Sequence, residues 1–217
     1  IDTSGVHVTS GGEFNGQELS KAAHKSAITG DSITHYMRLA AGKSGVTFAV
    51  DVEMAKDHAA AFVEAGISAA VLHAKTPAAE RLAIIKAFRN KELLQIVNVD
   101  VLGEGFDCHG IEVASFGRPT MSYGLYVQQF GRALRPKAGK PFGLILDHVG
   151  NVVRHRGAPD GPRDWSLDSP KKKVKVVEVP IRVCGNEECM QVFEGYQKEC
   201  PFCGWKPEVS DKERSRP

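Results

Sequence analysis

Gln128, Arg132 and Arg135 fall within the run SYGLYVQQFGRALRP, Ser122 to Pro136, at intervals of four and three residues. On a helix that spacing gathers an amide and two guanidiniums onto one stripe. A guanidinium is planar, always charged, and offers a fork of N–H donors that matches phosphate oxygens. Two of them one turn apart suit a polyphosphate. Gly131 lies between them, where glycine costs a helix about 0.5–1 kcal/mol relative to Ala, which suggests close approach by another group. The plain alternative is a solvated face of salt-bridged arginines; the combination Gln-x-x-Gly-Arg-x-x-Arg argues against it. A second chemistry lies near the C-terminus. Cys184-x4-Cys189, ten further residues and then Cys200-x2-Cys203 place four thiols in two pairs, a donor set for tetrahedral Zn²⁺. The Cys-Pro-x-Cys-Gly run allows a tight turn with N–H groups aimed at sulfur. Disulfides are the alternative, but clustered cysteines in a chain without a secretion signal point to metal first.

Two other stretches carry glycines beside polar groups. In VNVDVLGEGFDCHGI, Val97 to Ile111, a buried strand runs into a turn with Gly103 and Gly105 flanking Glu104, followed by Asp107. Glycines there permit positive φ and close backbone approach, and Asp107 could accept hydrogen bonds from a ribose hydroxyl. Taken alone, the same residues read equally as a tight strand connection with a capping aspartate. In LAAGKSGVTF, Leu39 to Phe48, the Gly-Lys-Ser turn imitates a phosphate loop. The full pattern needs an earlier glycine where Met37 stands, with a strand before the loop and a helix after it. Here the order is reversed, and a helix C-terminus is the wrong end for an anion. Gly42 reads as a helix C-cap and Lys43 as a cation suited to that end.

The elements that must position these groups alternate regularly. Helices are expected near Gln17–Ala27 and Asp31–Ala41, then strand Val46–Val50, helix Glu53–Ala65 and strand Ala69–Leu72. A helix opening at Thr76-Pro77, with a capping hydroxyl, runs to Arg89. Strands Leu93–Val99 and Glu112–Gly117, helix Ser122–Leu134 and strand Phe142–Asp147 complete the series. Short apolar strands alternating with helices imply an α/β fold, a parallel sheet with helices on both faces and ligands at the carboxyl ends of the strands. The Gly-, Pro- and Asp-rich run after Gly150 reads as a connector, the following KKKVKVVEV as a basic stretch, and SDKERSRP as a disordered tail. With 217 residues there is room for one sizeable domain and a small appendage. A net charge of +2 neither demands nor excludes nucleic acid. No apolar run approaches the ~20 residues of a membrane span, so no membrane partner is expected.

GEGFD and QQFGRALRP, in this order and about 20 residues apart, resemble motifs V and VI of the superfamily-two helicases, the DEAD/DEAH-like motors, and most of all the repair- and phage-type branch. VTFAV stands where motif IV belongs. VLHAKTPAAERLAIIKAFRNKELLQIVNVD resembles the segment between motifs IV and V, with His73 and Arg81 in the expected places. The resemblance covers residues 46–148, with residues 1–45 as the lead-in of the same lobe. It implies the second, RecA-like lobe of a helicase over residues 1–150; the composition beyond it gives a linker over 151–175 and a tail over 208–217. The cysteine region, residues 176–207, looks like a zinc ribbon.

By the resemblance, Arg135 would be the arginine finger, with Arg132 also reaching the γ-phosphate and Gln128 linking the nucleotide to the lobe interface. Gly105 and Asp107 would contact the ribose side. Strand contacts would fall on Asn98, where many relatives have Thr, and on the turn after Leu72 with His73; His73 reads equally as a structural histidine. Cys108, His109 and His148 are read as structural. The cofactors implied are ATP with Mg²⁺, shared with a first RecA-like lobe of the same protein, and Zn²⁺ on Cys184, Cys189, Cys200 and Cys203. The partner implied is DNA, as a single strand or fork, in the cytoplasm of a bacterial or phage-infected cell. This chain carries no Gly-x-x-x-x-Gly-Lys-Ser/Thr and no Asp-Glu-x-His/Asp, so hydrolysis is expected only together with the first lobe. The rival is a non-hydrolysing nucleic-acid-binding or adaptor module that keeps a motor-like fold.

Overall fold

The structure, a computed structural model, describes residues 1–26, 28–101, 110–156 and 181–207. The expected ribose contacts Gly105 and Asp107, most of the linker and the tail lie outside the described residues. The chain divides into two compact units, Ile1–Asn151 and Val152–Pro217.

In the first unit the elements run α1 (Gly16–His24), α2 (Ile28–Ala40), β1 (Gly45–Phe48), α3 (Val52–Glu64), β2 (Ala69–His73), α4 (Ala78–Arg89), β3 (Gln95–Val99), β4 (Val113–Phe116), α5 (Tyr123–Phe130) and β5 (Leu144–Asp147). A short helix, α6 (Asn151–Arg154), stands at the boundary. The helices begin where the sequence supplies caps. Asn15 accepts from the Gln17 and Glu18 amides, Asp51 from Met54 N and Ser122 from Leu125 N. α4 departs from expectation. Its N-cap is Pro77, without a side-chain bond, because the Thr76 hydroxyl accepts from His73 N at 3.0 Å and closes the turn after β2 instead.

The five strands form one all-parallel sheet in the order β2-β3-β1-β4-β5. Right-handed crossovers place α3, which carries the chain outward from β1 to β2, on the face opposite α4 and α5, which run the other way. α2 packs beside α3 and β5. One apolar core fills the unit; Val46, Ala55, Ile96, Ala114, Phe116 and Tyr126 within it have no exposed surface. The chain leaves β1 toward one edge and β4 toward the other, so the carboxyl ends of these two strands flank the switch point where such sheets bind ligands.

Gly42-Lys43-Ser44 lies at the other end. Gly42 follows α2 with φ +77°. The Lys43 carbonyl accepts from Tyr36 Oη at 2.7 Å and Gln95 Nε2 at 3.2 Å, and Ser44 is buried. This is a packed helix-to-strand connection at the amino end of β1.

In the second unit, β6 (Ile181–Val183) and β7 (Val192–Glu194) pair antiparallel, Arg182 opposite Phe193. Among the described residues no helix is long and apolar enough to cross a membrane.

Candidate functional site

The segment Arg118–Ser122 joins β4 to α5 and is held from three directions. The Glu13 carboxylate accepts the Thr120 hydroxyl, Met121 N at 2.8 Å and Ser122 N at 3.2 Å. Burial would raise this carboxyl, yet the bonds from Thr120 and from the Met121, Phe14 and Ser122 amides outweigh it and hold the group below its ordinary value. The fully buried Asn151 accepts from Thr120 N and donates to Arg118 O, both at 3.0 Å. Arg118 pairs with Asp100 at the end of β3. None of these three anchors, Glu13, Asn151 and Asp100, was singled out from the sequence. Glu13 and Asn151 had only their polar side chains to show, and their partners lie 107 and 31 residues away in the chain.

Beyond this anchor, the structure corrects the expected stripe. The helix was expected to run to Leu134, but α5 ends at Phe130, and the chain tightens through Arg132 N to Gln129 O and Ala133 N to Phe130 O. Gly131 has a local cause as well. A Cβ there would lie 2.8 Å from the Val127 carbonyl oxygen, so the tight turn requires glycine without any incoming group. Gln128 stays exposed on α5, whereas Arg132 is only 4% exposed and Arg135 is half-buried. Gln128 and Arg132 therefore do not share one solvated face. Burial, and then the charge of Arg135, push the Arg132 guanidinium below its ordinary value. Arg135 is steadied through its carbonyl, which accepts from Lys140 Nζ at 2.6 Å. The neighbouring Gln129, buried at 7% exposure, carries the amide that faces inward, a distinction two consecutive glutamines conceal.

At the outer edge of the sheet, a cleft of about 480 Å³ opens beside His73, Lys56, Lys75 and Thr76. His73 Nδ1 accepts from Lys75 N at 3.2 Å, and its carbonyl takes Thr76 N and an Arg81 guanidinium nitrogen. One imidazole nitrogen thus braces the turn, and three basic side chains border the cleft. Asn98 is placed differently from expectation. It is 3% exposed, and its Oδ1 accepts from Val101 N at 3.2 Å. It shapes the turn after β3 from inside.

In the second unit, the four sulfurs of Cys184, Cys189, Cys200 and Cys203 all lie within 4.8 Å of one another. Cys184 and Cys203 are 3.5 Å apart, Cys189 and Cys200 3.8 Å. Sulfurs at about 2.3 Å from a tetrahedral zinc stand roughly 3.8 Å apart, so this donor set fits that ion; a disulfide needs about 2.05 Å. The N–H of Trp205 pulls the Cys203 thiol down to about 7, and Asn186 N donates to Cys184 sulfur at 3.4 Å. Gly204, with φ +73°, makes the knuckle turn. Among the described residues, Phe193 and Trp205 supply the apolar packing around the sulfurs.

Residues 30–137 match the family described as Helicase conserved C-terminal domain. A 51.5 kDa protein of Lactococcus phage (isolate 7-9) is 34% identical over 215 residues, 98% of this chain and 46% of the phage protein. UvrABC system protein B of Nitratidesulfovibrio vulgaris is 36% identical over 92 residues, 40% of this chain and 14% of that protein. Among solved structures, the E. coli DEAD-box protein SrmB, bound to the regulator of ribonuclease activity A, matches with TM-score 0.51 at 20% identity. That match covers 59% of this chain and 78% of that one, and it speaks for the fold. The chain spans less than half the length of these two curated relatives. The family match over the parallel sheet, the alignment with the phage protein along nearly the whole chain and the shared fold agree: this chain belongs to the superfamily-two helicases and carries their C-terminal RecA-like lobe.

Proposed function

We propose that this lobe is the second half of an ATP-dependent DNA helicase or translocase, in which Arg135 is the arginine finger. The family uses ATP with Mg²⁺, and the nucleotide would lie between this lobe and a first lobe that this chain does not contain. The observation that carries the reading is the placement of Arg132 and Arg135, one buried and one half-buried, in the turn that follows α5 within the matched helicase segment; the start of α5 is fixed by Glu13 and Asn151. Forked guanidiniums suit phosphate oxygens, and the charge that grows on a γ-phosphate during attack by water is one they would stabilise. Arg135 is the more open of the two and takes the finger role. Arg132, being buried, contributes its field and any contact the closed lobes allow. Gln128, exposed on α5, faces the partner lobe. Gly105 and Asp107 take the ribose side.

The strand track runs past the basic cleft at His73, Lys56 and Lys75, where contacts to a phosphate backbone need no base identity. Asn98 serves it indirectly by holding the turn after β3. Lobe closure on ATP and release after hydrolysis would move the strand. The metal-binding unit takes one Zn²⁺ on its four cysteines.

The test is Arg135→Ala in the full-length protein. Strand-stimulated ATP hydrolysis should fall by about 10³-fold or more, with strand affinity largely kept. Unchanged hydrolysis would sink the motor reading and favour a non-hydrolysing binding module.

A further inference from the structure

Asp100 and Arg118 occupy matching places on two strands that do not touch. In the sheet, Asn98 of β3 and Phe116 of β4 both stand level with Phe48 of β1. The ladder continues one step past this row, through Ala49 N to Asn98 O and Gly117 N to Phe48 O, each 2.9 Å. Asp100 and Arg118 are each two residues beyond the row. Their ion pair therefore passes over the carboxyl end of β1, at the switch point of the sheet. It is the one salt bridge among the described residues that links the exits of β3 and β4.

The two ends of the pair are held unequally. Arg118 is 18% exposed at its side chain, and its backbone is fixed by Asn151 through a carbonyl bond at 3.0 Å. It begins the five-residue segment that Glu13 clamps ahead of α5. Asp100 is 61% exposed at its side chain and has a left-handed backbone, φ +54°, a conformation that L-residues visit at a cost. Next to it, Asn98 Oδ1 holds Val101 N. One partner is thus a rigid anchor of the segment ahead of α5, the helix that precedes the two arginines. The other is a strained, open residue on the turn that the proposed function assigns to the strand side.

We propose that the Asp100–Arg118 ion pair is the link through which the turn after β3 sets the position of the α5 segment, so that it governs strand stimulation of hydrolysis and not hydrolysis itself. Both residues act through others and are positioning residues. A strand that shifts the turn moves Asp100, Asp100 draws on Arg118, and the Arg118–Ser122 segment carries the change to the helix ahead of Arg132 and Arg135. The stimulated rate itself carries no reciprocity; only the part of the link that couples the two binding steps does, nucleotide then tightening strand binding by the factor by which strand tightens nucleotide binding. This rests on the motor reading above.

The test uses the full-length protein, with basal and single-strand-stimulated ATP hydrolysis measured at saturating strand and nucleotide. Asp100→Asn is the informative single change, because it is isosteric, removes only the charge, and Asn adopts the left-handed backbone readily. The ratio of stimulated to basal rate should fall about fivefold or more, with the basal rate within about twofold of wild type and the thermal midpoint nearly unmoved. Arg118→Gln should do the same. The exchange of both charges, Asp100→Arg with Arg118→Asp, should restore much of the ratio, which a merely structural role of either residue would not achieve. A full ratio in Asp100→Asn, or an exchanged double variant no better than its folded single parents, overturns the link. Absence of stimulated hydrolysis in the wild type itself would instead overturn the motor reading, and the link with it.

Discussion

A methyl carbon added at Gly143 would sit 2.1 Å from the Ala133 carbonyl oxygen, closer than any real contact. The atoms it meets are backbone, so no side chain can swing away. Ala133 directly follows Arg132, and Gly143→Ala must therefore displace the turn that holds the buried arginine. It should cost about 2–3 kcal/mol or more, in the range of core overpacking, readable as a lower urea midpoint at unchanged slope. Titration offers a second residue-scale prediction. His148 is stacked on His35, with ring centroids 5.4 Å apart, and its Nε2 lies 3.1 Å from Ser115 Oγ. Burial first, and then His35 and His58, push its pKa down to about 4 from 6.5. The folded state resists protonation, so the unfolded state binds more protons in that interval. Stability should be full above pH 6.5 and fall as pH drops toward 4, each unit of displacement being worth about 1.4 kcal/mol. His148→Gln should flatten that acid limb in a denaturant series, and an unaltered limb would refute the assignment. The sequence reading of His148 as structural fits this packing, but the stacked partner on α2 could not be foreseen 113 residues away.

Among the elements, the strands were legible because each is a short apolar run bounded by turn residues, and a parallel sheet buries both faces of such runs. The misjudged boundary is the end of α5. Its periodicity continues through Arg132 and Leu134, yet Gly131 and the close Val127 carbonyl mark a tightening that periodicity cannot register. The cap of α4 was misplaced for a related reason: Thr76 serves the turn behind it, not the helix ahead. Most of the candidate site was legible as residue types, since Gln, Gly and Arg at motif spacing are local. What fixes them was not, because anchors such as Glu13 act across the fold. That anchor yields the element-scale prediction. Glu13→Ala leaves the Thr120 hydroxyl and the Met121 and Ser122 amides without their shared acceptor. With Thr120 buried and the two amides more open, the loss should be about 1–3 kcal/mol, and the start of α5 should open first. Amide hydrogen exchange at Met121 and Ser122 should quicken far more than exchange in β1, and equal protection in both variants would show that Glu13 does not hold the helix. Below the ordinary carboxyl range the wild type should approach the variant, because a carboxyl held low in the folded state gives up its contribution as pH falls through its folded value.

At the scale of the whole molecule, the two compact units differ in what keeps them folded. The lobe has a core that runs through five strands and their helices. In the C-terminal unit, the described cysteine region, residues 181–207, buries Cys184, Phe193 and Cys200 and packs Cys189 and Trp205 against them, far less than a metal-free domain of that size needs. Elemental analysis should find about one zinc per chain. Stripping it by chelation with thiol modification should shift Trp205 emission to the red while leaving most of the helical circular dichroism, since the helices belong to the lobe. Folded, metal-free protein with unshifted emission would overturn the zinc assignment. On the proposed reading, catalysis is divided between what this chain holds and what a first lobe must supply. Gly42-Lys43-Ser44 cannot stand in for a phosphate loop, because its backbone groups are spent on Tyr36, Gln95 and Glu112 at the amino end of β1, opposite the switch point. Arginines alone stabilise a transition state but cannot hold Mg²⁺ or place the nucleotide. This chain by itself should therefore turn over no ATP, with or without single-stranded DNA, while the protein that joins it to a first lobe should do so in a strand-dependent way. Robust turnover by the isolated chain would mean that its own residues hold the phosphates, and the assignment of Arg135 as a finger acting across a lobe boundary would fall.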